Sequence, residues 1–268
     1  MTQALVLGWD RTVLELKMYA REKESVFFSF LSPILLLTLF AVVFAAQVDE
    51  QARSNGMNAA RYFLPGMAAV GVLLTSFQTV ALTVALERDD GTLKRLRSTP
   101  MSPVSYFLGK VGLVLLSSVA QLALLLVVAR LAFDVQLPTD ASRWRTLGWV
   151  FTLSAFAGTV LGIAYSSIAS ARSIGVVVAG PLLVLQFISG VFIPFENVPD
   201  WLKQLAAIFP LKWIAQGMRS VFYPDSMATK EMAGAWEHSR IALVLTLWAV
   251  SGLVLCVTTF RWFRRGSV

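Results

Sequence analysis

The chain has 268 residues, of which 56% are hydrophobic and only 15% charged, with a mean hydropathy of +0.67. That composition excludes an ordinary soluble domain and marks an integral membrane protein, long enough for one membrane domain. The net charge of +7 is read as membrane topology rather than nucleic-acid binding, and a single Cys256 and a single His238 exclude an internal disulfide and argue against a metal site.

Asp10, Arg11, Glu15, Lys17, Arg21, Glu22, Lys23 and Glu24 run right through the N-terminal segment, so no cleavable signal peptide is expected there. Leu5, Trp9, Val13, Leu16 and Ala20 recur every three or four residues and predict an amphipathic helix. On pattern alone it either lies in the headgroup plane or caps the domain. Six apolar runs follow, near residues 27–46, 63–86, 104–130, 147–169, 174–194 and 241–260. Each is about 20 residues or more, enough to cross a hydrocarbon core of roughly 30 Å. Pro33 and Pro65-Gly66 are tolerated where neighbouring helices re-satisfy the backbone. Gly158 and Gly162 form a small-residue face, read as packing inside one subunit.

Between the second and third runs lies a dense charged island, Glu87-Arg88-Asp89-Asp90-Gly91-Thr92-Leu93-Lys94-Arg95-Leu96-Arg97-Ser98-Thr99-Pro100-Met101-Ser102-Pro103. Asp90 or Thr92 can cap a short helix, with Gly91 easing its entry. Leu93 and Leu96 share one face, Pro100 stops the helix, and Ser102-Pro103 starts the next. A helix this short needs a surface to dock on. The alternative is a solvated, positively charged loop. The wording Glu-Arg-x-x-Gly-Thr-Leu-x-Arg-Leu-Arg-x-Thr-Pro-x-Ser-Pro, followed by Gly109-Lys110, resembles the loop after the second span of ABC-2-type permeases. These are membrane subunits of bacterial ABC exporters, including the daunorubicin-resistance type.

One side of the membrane collects Arg11, Lys17, Arg21, Lys23, Arg88, Lys94, Arg95, Arg97, Lys110, Arg172, Arg261, Arg264 and Arg265. The other holds Arg53, Arg61, Arg130, Arg143 and Arg145, plus a scatter in the long loop before the last run, so the excess is modest. The excess places both termini and the island in the cytoplasm.

After the fifth run the chain reads Ser189-Gly190-Val191-Phe192-Ile193-Pro194, then Asn197-Val198-Pro199-Asp200-Trp201-Leu202, then Ile208-Phe209-Pro210-Leu211-Lys212-Trp213-Ile214, ending near Gly217-Met218-Arg219. Asn197 can cap a helix with Pro199 in its first turn, and Pro210 breaks it before a second one. Both are too short to span. They form either a hairpin re-entering the outer leaflet or a surface loop. The order Gly-x-Phe-x-Pro, Val-Pro-x-Trp-Leu, Phe-Pro-Leu and Gly-Met-Arg again resembles ABC-2 permeases, so the resemblance extends over almost the whole chain.

No Gly-x-x-x-x-Gly-Lys-Ser/Thr phosphate loop is present, and Gly109-Lys110 lacks the preceding glycine. No Asp, Glu, Lys, Arg or His falls in the middle of a run, which disfavours an ion-coupled transporter. Gln78, Gln121 and Gln186 either bond between helices or line a polar path. No nucleophile–base pair or paired carboxylate suggests an enzyme.

The resemblance implies a single ABC-2-type domain over residues 1–268, all-α, with six transmembrane helices. It adds an elbow helix over 1–26, a cytoplasmic coupling helix over 87–103 and a re-entrant hairpin over 195–222. It further implies a partner ATPase subunit that carries ATP and magnesium, a second permease subunit, and a place in the bacterial cytoplasmic membrane. ATPase docking then falls to Glu87, Arg88, Gly91, Thr92, Leu93, Arg95, Leu96, Arg97 and Pro100, with Arg172 as a minor contact. An exit hairpin falls to Gly190, Phe192, Pro194, Pro199, Trp201, Pro210 and Arg219. The exported substrate is unknown; the apolar interior favours a lipophilic drug, lipid or lipid-linked molecule over a small ion, and the resemblance also leaves open a polysaccharide carrier. The alternative is a non-transporting anchor or sensor subunit that holds an ATPase at the membrane.

Overall fold

The computed structural model describes residues 2–47, 56–98, 102–168 and 170–259. These fold into helices alone, named here in chain order. Helix α1 covers Thr2–Arg21 and α2 covers Lys23–Val43. The second span is composite: α3 (Ala59–Leu73), a π-helical segment (Leu74–Thr79) and α4 (Val80–Asp89). The short α5 (Thr92–Arg97) leads to α6 (Pro103–Phe133), α7 (Ala141–Tyr165) and α8 (Ala171–Ile188). A helical hairpin, α9 (Asp200–Ile208) and α10 (Pro210–Phe222), precedes α11 (His238–Thr259).

Six helices are long and apolar enough to cross a membrane: Val26–Val43, Ala59–Asp89, Pro103–Phe133, Ala141–Tyr165, Ala171–Ile188 and His238–Thr259. They coincide with the six apolar runs to within a few residues. The main departures are the fourth, which starts at Ala141, not near 147, and the fifth, which ends at Ile188, not near 194, where Gly190 turns the chain at φ +75°.

Local chemistry sets the helix starts. Ser102 accepts a hydrogen bond from the Ser105 N–H at 3.1 Å, and Pro103 occupies the first position of α6. Asn58 accepts from the Arg61 N–H at 2.7 Å. Asn197 does not cap α9 as expected; it lies in a short turn, and Pro199 stands at the cap position with Asp200 behind it.

The centre of the bundle is the second span with α7. The π segment is seated there because Gly158 and Gly162 of α7 leave room for Ser76 and Phe77; a Cβ on Gly158 would fall 2.0 Å from the Ser76 hydroxyl. This is the small-residue face, used inside one subunit. The hairpin helix α10 is buried along its length between α3, α7 and α11. By contrast α2, α8 and α11 turn broad apolar faces outward, with Leu35, Leu39, Val176, Leu183, Leu247 and Val254 about half exposed or more.

Candidate functional site

The charged island is where the second and third spans end on the same side of the bundle. Asp90 accepts the Thr92 N–H at 2.8 Å, and Gly91 takes φ +79° to turn α4 into α5. A side chain at 91 would meet no neighbour within 4 Å, so the demand for glycine is a backbone demand. Leu93 is fully buried in the subunit's own core and Leu96 is partly buried against it, while Lys94 and Arg95 face outward. Thr92 and Arg88 are half-buried. Arg97 closes α5 and its side chain lies outside the described set, as does Pro100 altogether. The Ala171 N–H donates to Asp89 at 2.8 Å, which brings exposed Arg172 and the start of α8 to the same face.

Glu87 is a correction. It does not point outward for docking but inward, 7% exposed, into a buried charge cluster. Lys110 of α6, fully buried, donates to Glu87 at 2.8 Å and to Glu15 of α1 at 2.9 Å. Arg11 of α1 reaches Glu15 at 2.5 Å and Glu87 at 3.4 Å. The Tyr106 hydroxyl donates to Glu87 at 2.6 Å, and both cations lie 5.6 Å from the centre of its ring. Two cations face two carboxylates, so the formal charges balance, which favours tolerance of buried ions, while Arg11 Nε finds no hydrogen-bond partner among the described residues. Close approach makes it possible: Gly109 and Gly112 of α6 leave space for Arg11 and Thr12, where a Cβ would lie 2.3 Å from either side chain. Thus α1 lies along α6 with its polar and small residues inward, and Trp9, Leu14 and Met18 outward.

Sequence reading missed this cluster because it counted Arg11 and Lys110 only as loop charges. The signal available was Arg11 and Glu15 four apart on the face opposite the apolar stripe, with Lys110 inside an apolar run. The middle of the spans does stay free of charge among the described residues; the ions sit near their ends.

The hairpin brings together other residues singled out above. Arg219, buried, bonds Glu231 at 2.6 Å and the Gly190 carbonyl at 3.4 Å. Phe192 packs on Phe40 and Phe187, ring centres 5.6 and 5.2 Å apart. Pro194 precedes a short turn and Pro210 opens α10. Trp201 is exposed, one turn before exposed Leu205 and two before Ile208. Two indoles close the hairpin: Trp213 donates to the Ala207 carbonyl at 2.7 Å and Trp248 of α11 to the Ile208 carbonyl at 2.9 Å. Those carbonyls are orphans of the last turn of α9.

Of the three glutamines, Gln121 is buried with both ends of its amide bonded: Thr75 donates to it at 2.9 Å, and it donates to the Ser29 carbonyl at 2.5 Å. It ties three spans together. Gln78, in the π segment, and Gln186, in α8, are half-buried.

Six long apolar helices and no strand among the described residues define a multi-pass membrane protein. Residues 6–223 match the family model described as ABC-2 type transporter, and the chain belongs to that family. It is 25% identical over 168 residues to the probable multidrug ABC transporter permease YbhR of Escherichia coli K12, and equally so to that of Escherichia coli O157:H7. The match covers 62% of this chain and 44% of each relative, so the chain spans less than half the length of the curated relatives it matches.

Proposed function

We propose that this chain is the permease subunit of an ATP-driven exporter, working as a pair and driven by a separate ATPase that docks on α5. The observation that carries the reading is the construction of α5. A six-residue helix is held in place by Leu93 in the core and by the Gly91 turn, while Lys94 and Arg95 stand exposed for a partner and Leu96 lies half-buried between them and the core. Behind it, the Glu87–Lys110 cluster ties α1 to the ends of the second and third spans, so a displacement at α5 is passed to three helices together. In this reading α1 is the elbow helix, α5 the coupling helix, Arg172 a secondary contact, and both termini are cytoplasmic.

The hairpin is read as re-entrant. Its turn is bonded to Trp248, ten residues into α11, which is roughly 15 Å below the start of that span and near mid-membrane. Irregular backbone at that depth needs protein partners, and the two indoles supply them. The exported molecule is proposed to be lipophilic, in keeping with the sparsely polar interior and with relatives named as probable multidrug permeases.

The test is co-purification of the ATPase with tagged variants, alongside export. Leu96→Asp should lose the ATPase while still inserting, since burial of the rest of that leucine contributes at most about 1.5–3 kcal/mol that a carboxylate forfeits. Arg95→Ala should weaken retention only partly. Wild-type retention and export by Leu96→Asp would sink the docking role of α5.

A further inference from the structure

The arginines on the end opposite α5 run against the usual charge bias of membrane proteins and have no part in docking. The structure gathers three of them, from separate helices, around one cavity of about 580 Å³. Arg61 comes from the first turn of α3, Arg130 from the last turn of α6, and Arg143 from the first turn of α7. Gln136, Thr139 and Asp140 complete the polar part of the wall.

Three aspartates, Asp134, Asp140 and Asp225, match the three arginines in number but hold them unevenly. Arg61 bonds only carbonyls, those of Phe222 at 2.9 Å and Gly56 at 2.9 Å, and no carboxylate among the described residues lies within ion-pair distance of it. Arg143 bonds the carbonyls of Val221 and Tyr223, Asp225 at 3.0 Å, and more loosely Asp140 at 3.9 Å. Arg130 pairs with Asp134. The three aspartates are strongly exposed, where water weakens their hold. Arg61 and Arg143 are near enough to repel one another, yet carbonyl bonds fix both beside the cavity. Guanidinium forks converging from three helices on one concave site match the oxygens of a phosphate group.

We infer that this cavity is a phosphate-binding site at the ends of the second, third and fourth spans. Its position at the span ends is the level of lipid headgroups, and its open mouth also admits a soluble phosphate compound. The chemistry is shared by both sources. The site is independent of ATPase docking, which lies at the other end of the bundle.

The full chain is reconstituted in phosphatidylcholine nanodiscs with and without phosphatidylglycerol, and retained lipid is counted by native mass spectrometry. In parallel, thermal unfolding is followed against sodium pyrophosphate, with sodium chloride at matched ionic strength as control. Selective retention of phosphatidylglycerol without a pyrophosphate shift assigns the site to a headgroup. A pyrophosphate shift without lipid selectivity assigns it to a soluble phosphate compound, and both responses together support the shared chemistry. Arg130→Gln, which releases only exposed Asp134, should weaken whichever response is seen by about fivefold, the worth of one half-exposed ionic contact. Arg145→Gln, exposed and outside the cavity, should leave it unchanged. Neither response in the wild-type chain, or equal loss in the two variants, overturns the site.

Discussion

Lys110 sits where an ammonium group has no water to fall back on, so its two carboxylates decide whether it is tolerated. Lys110→Met should leave Glu15 and Glu87 sharing one remaining cation and destabilise the subunit by about 3–5 kcal/mol. Adding Glu87→Gln restores the balance, leaving the Arg11–Glu15 pair, and should recover part of that loss. Thermal unfolding of the purified single and double variants measures it; strict additivity would show that the four groups do not act as a unit.

Lys212 of α10 is a different case. It bonds Gln216 and lies 3.7 Å from the centre of the Trp213 ring, with no carboxylate in ion-pair range among the described residues. Lys212→Met removes the buried charge while keeping the side chain's length, and should raise the unfolding temperature of the purified chain; a lower temperature would show that Gln216 and the Trp213 ring more than offset the cost of burying the ammonium group.

Residue patterns revealed which stretches matter more reliably than which way their side chains point. Gly91, Ser102-Pro103 and Pro210 announce backbone geometry, and the structure uses them so. Glu87 and Leu93 looked like surface-facing members of the island but point inward, because burial depends on α1 and on the core, which are distant in sequence.

At the scale of elements, α9 and α10 divide their labour. Helix α10 is enclosed, whereas α9 exposes Trp201, Leu205 and Ile208 on one face. A cysteine at Ile214 would therefore label slowly in any membrane position, and only Leu205 discriminates. In a background lacking Cys256, slow reaction at Leu205 with a membrane-impermeant thiol reagent indicates that lipid covers that face, and fast reaction indicates water. Trp248→Phe keeps the stack on Phe209 but removes the donor to Ile208, leaving a carbonyl unsatisfied at a cost of about 1–3 kcal/mol. The expected readouts are faster hydrogen exchange confined to the 206–212 turn and a lowered unfolding temperature. The hairpin's two proline boundaries were legible in the sequence, but the indole closures were not, since Trp248 lies 40 residues from its acceptor.

For the whole molecule, the six spans were legible from hydropathy alone because a bilayer demands long apolar helices and little else. Their arrangement was not, because helix packing in lipid rests on small residues and shape, which a single sequence encodes weakly. Reporters fused at either terminus should fluoresce in the cytoplasm, and one inserted at 137–142 should stay dark; light from the latter would invert the orientation.

The spans also differ in length. The 31-residue second and third spans are roughly 46 Å long, and the 18-residue fifth span roughly 27 Å. No flat slab of hydrocarbon matches both. The long helices are accommodated by tilting or protruding, and the 18-residue first and fifth spans by thinner lipid beside them or by contact with another subunit. The elastic cost of that mismatch varies with the acyl length of the surrounding lipid.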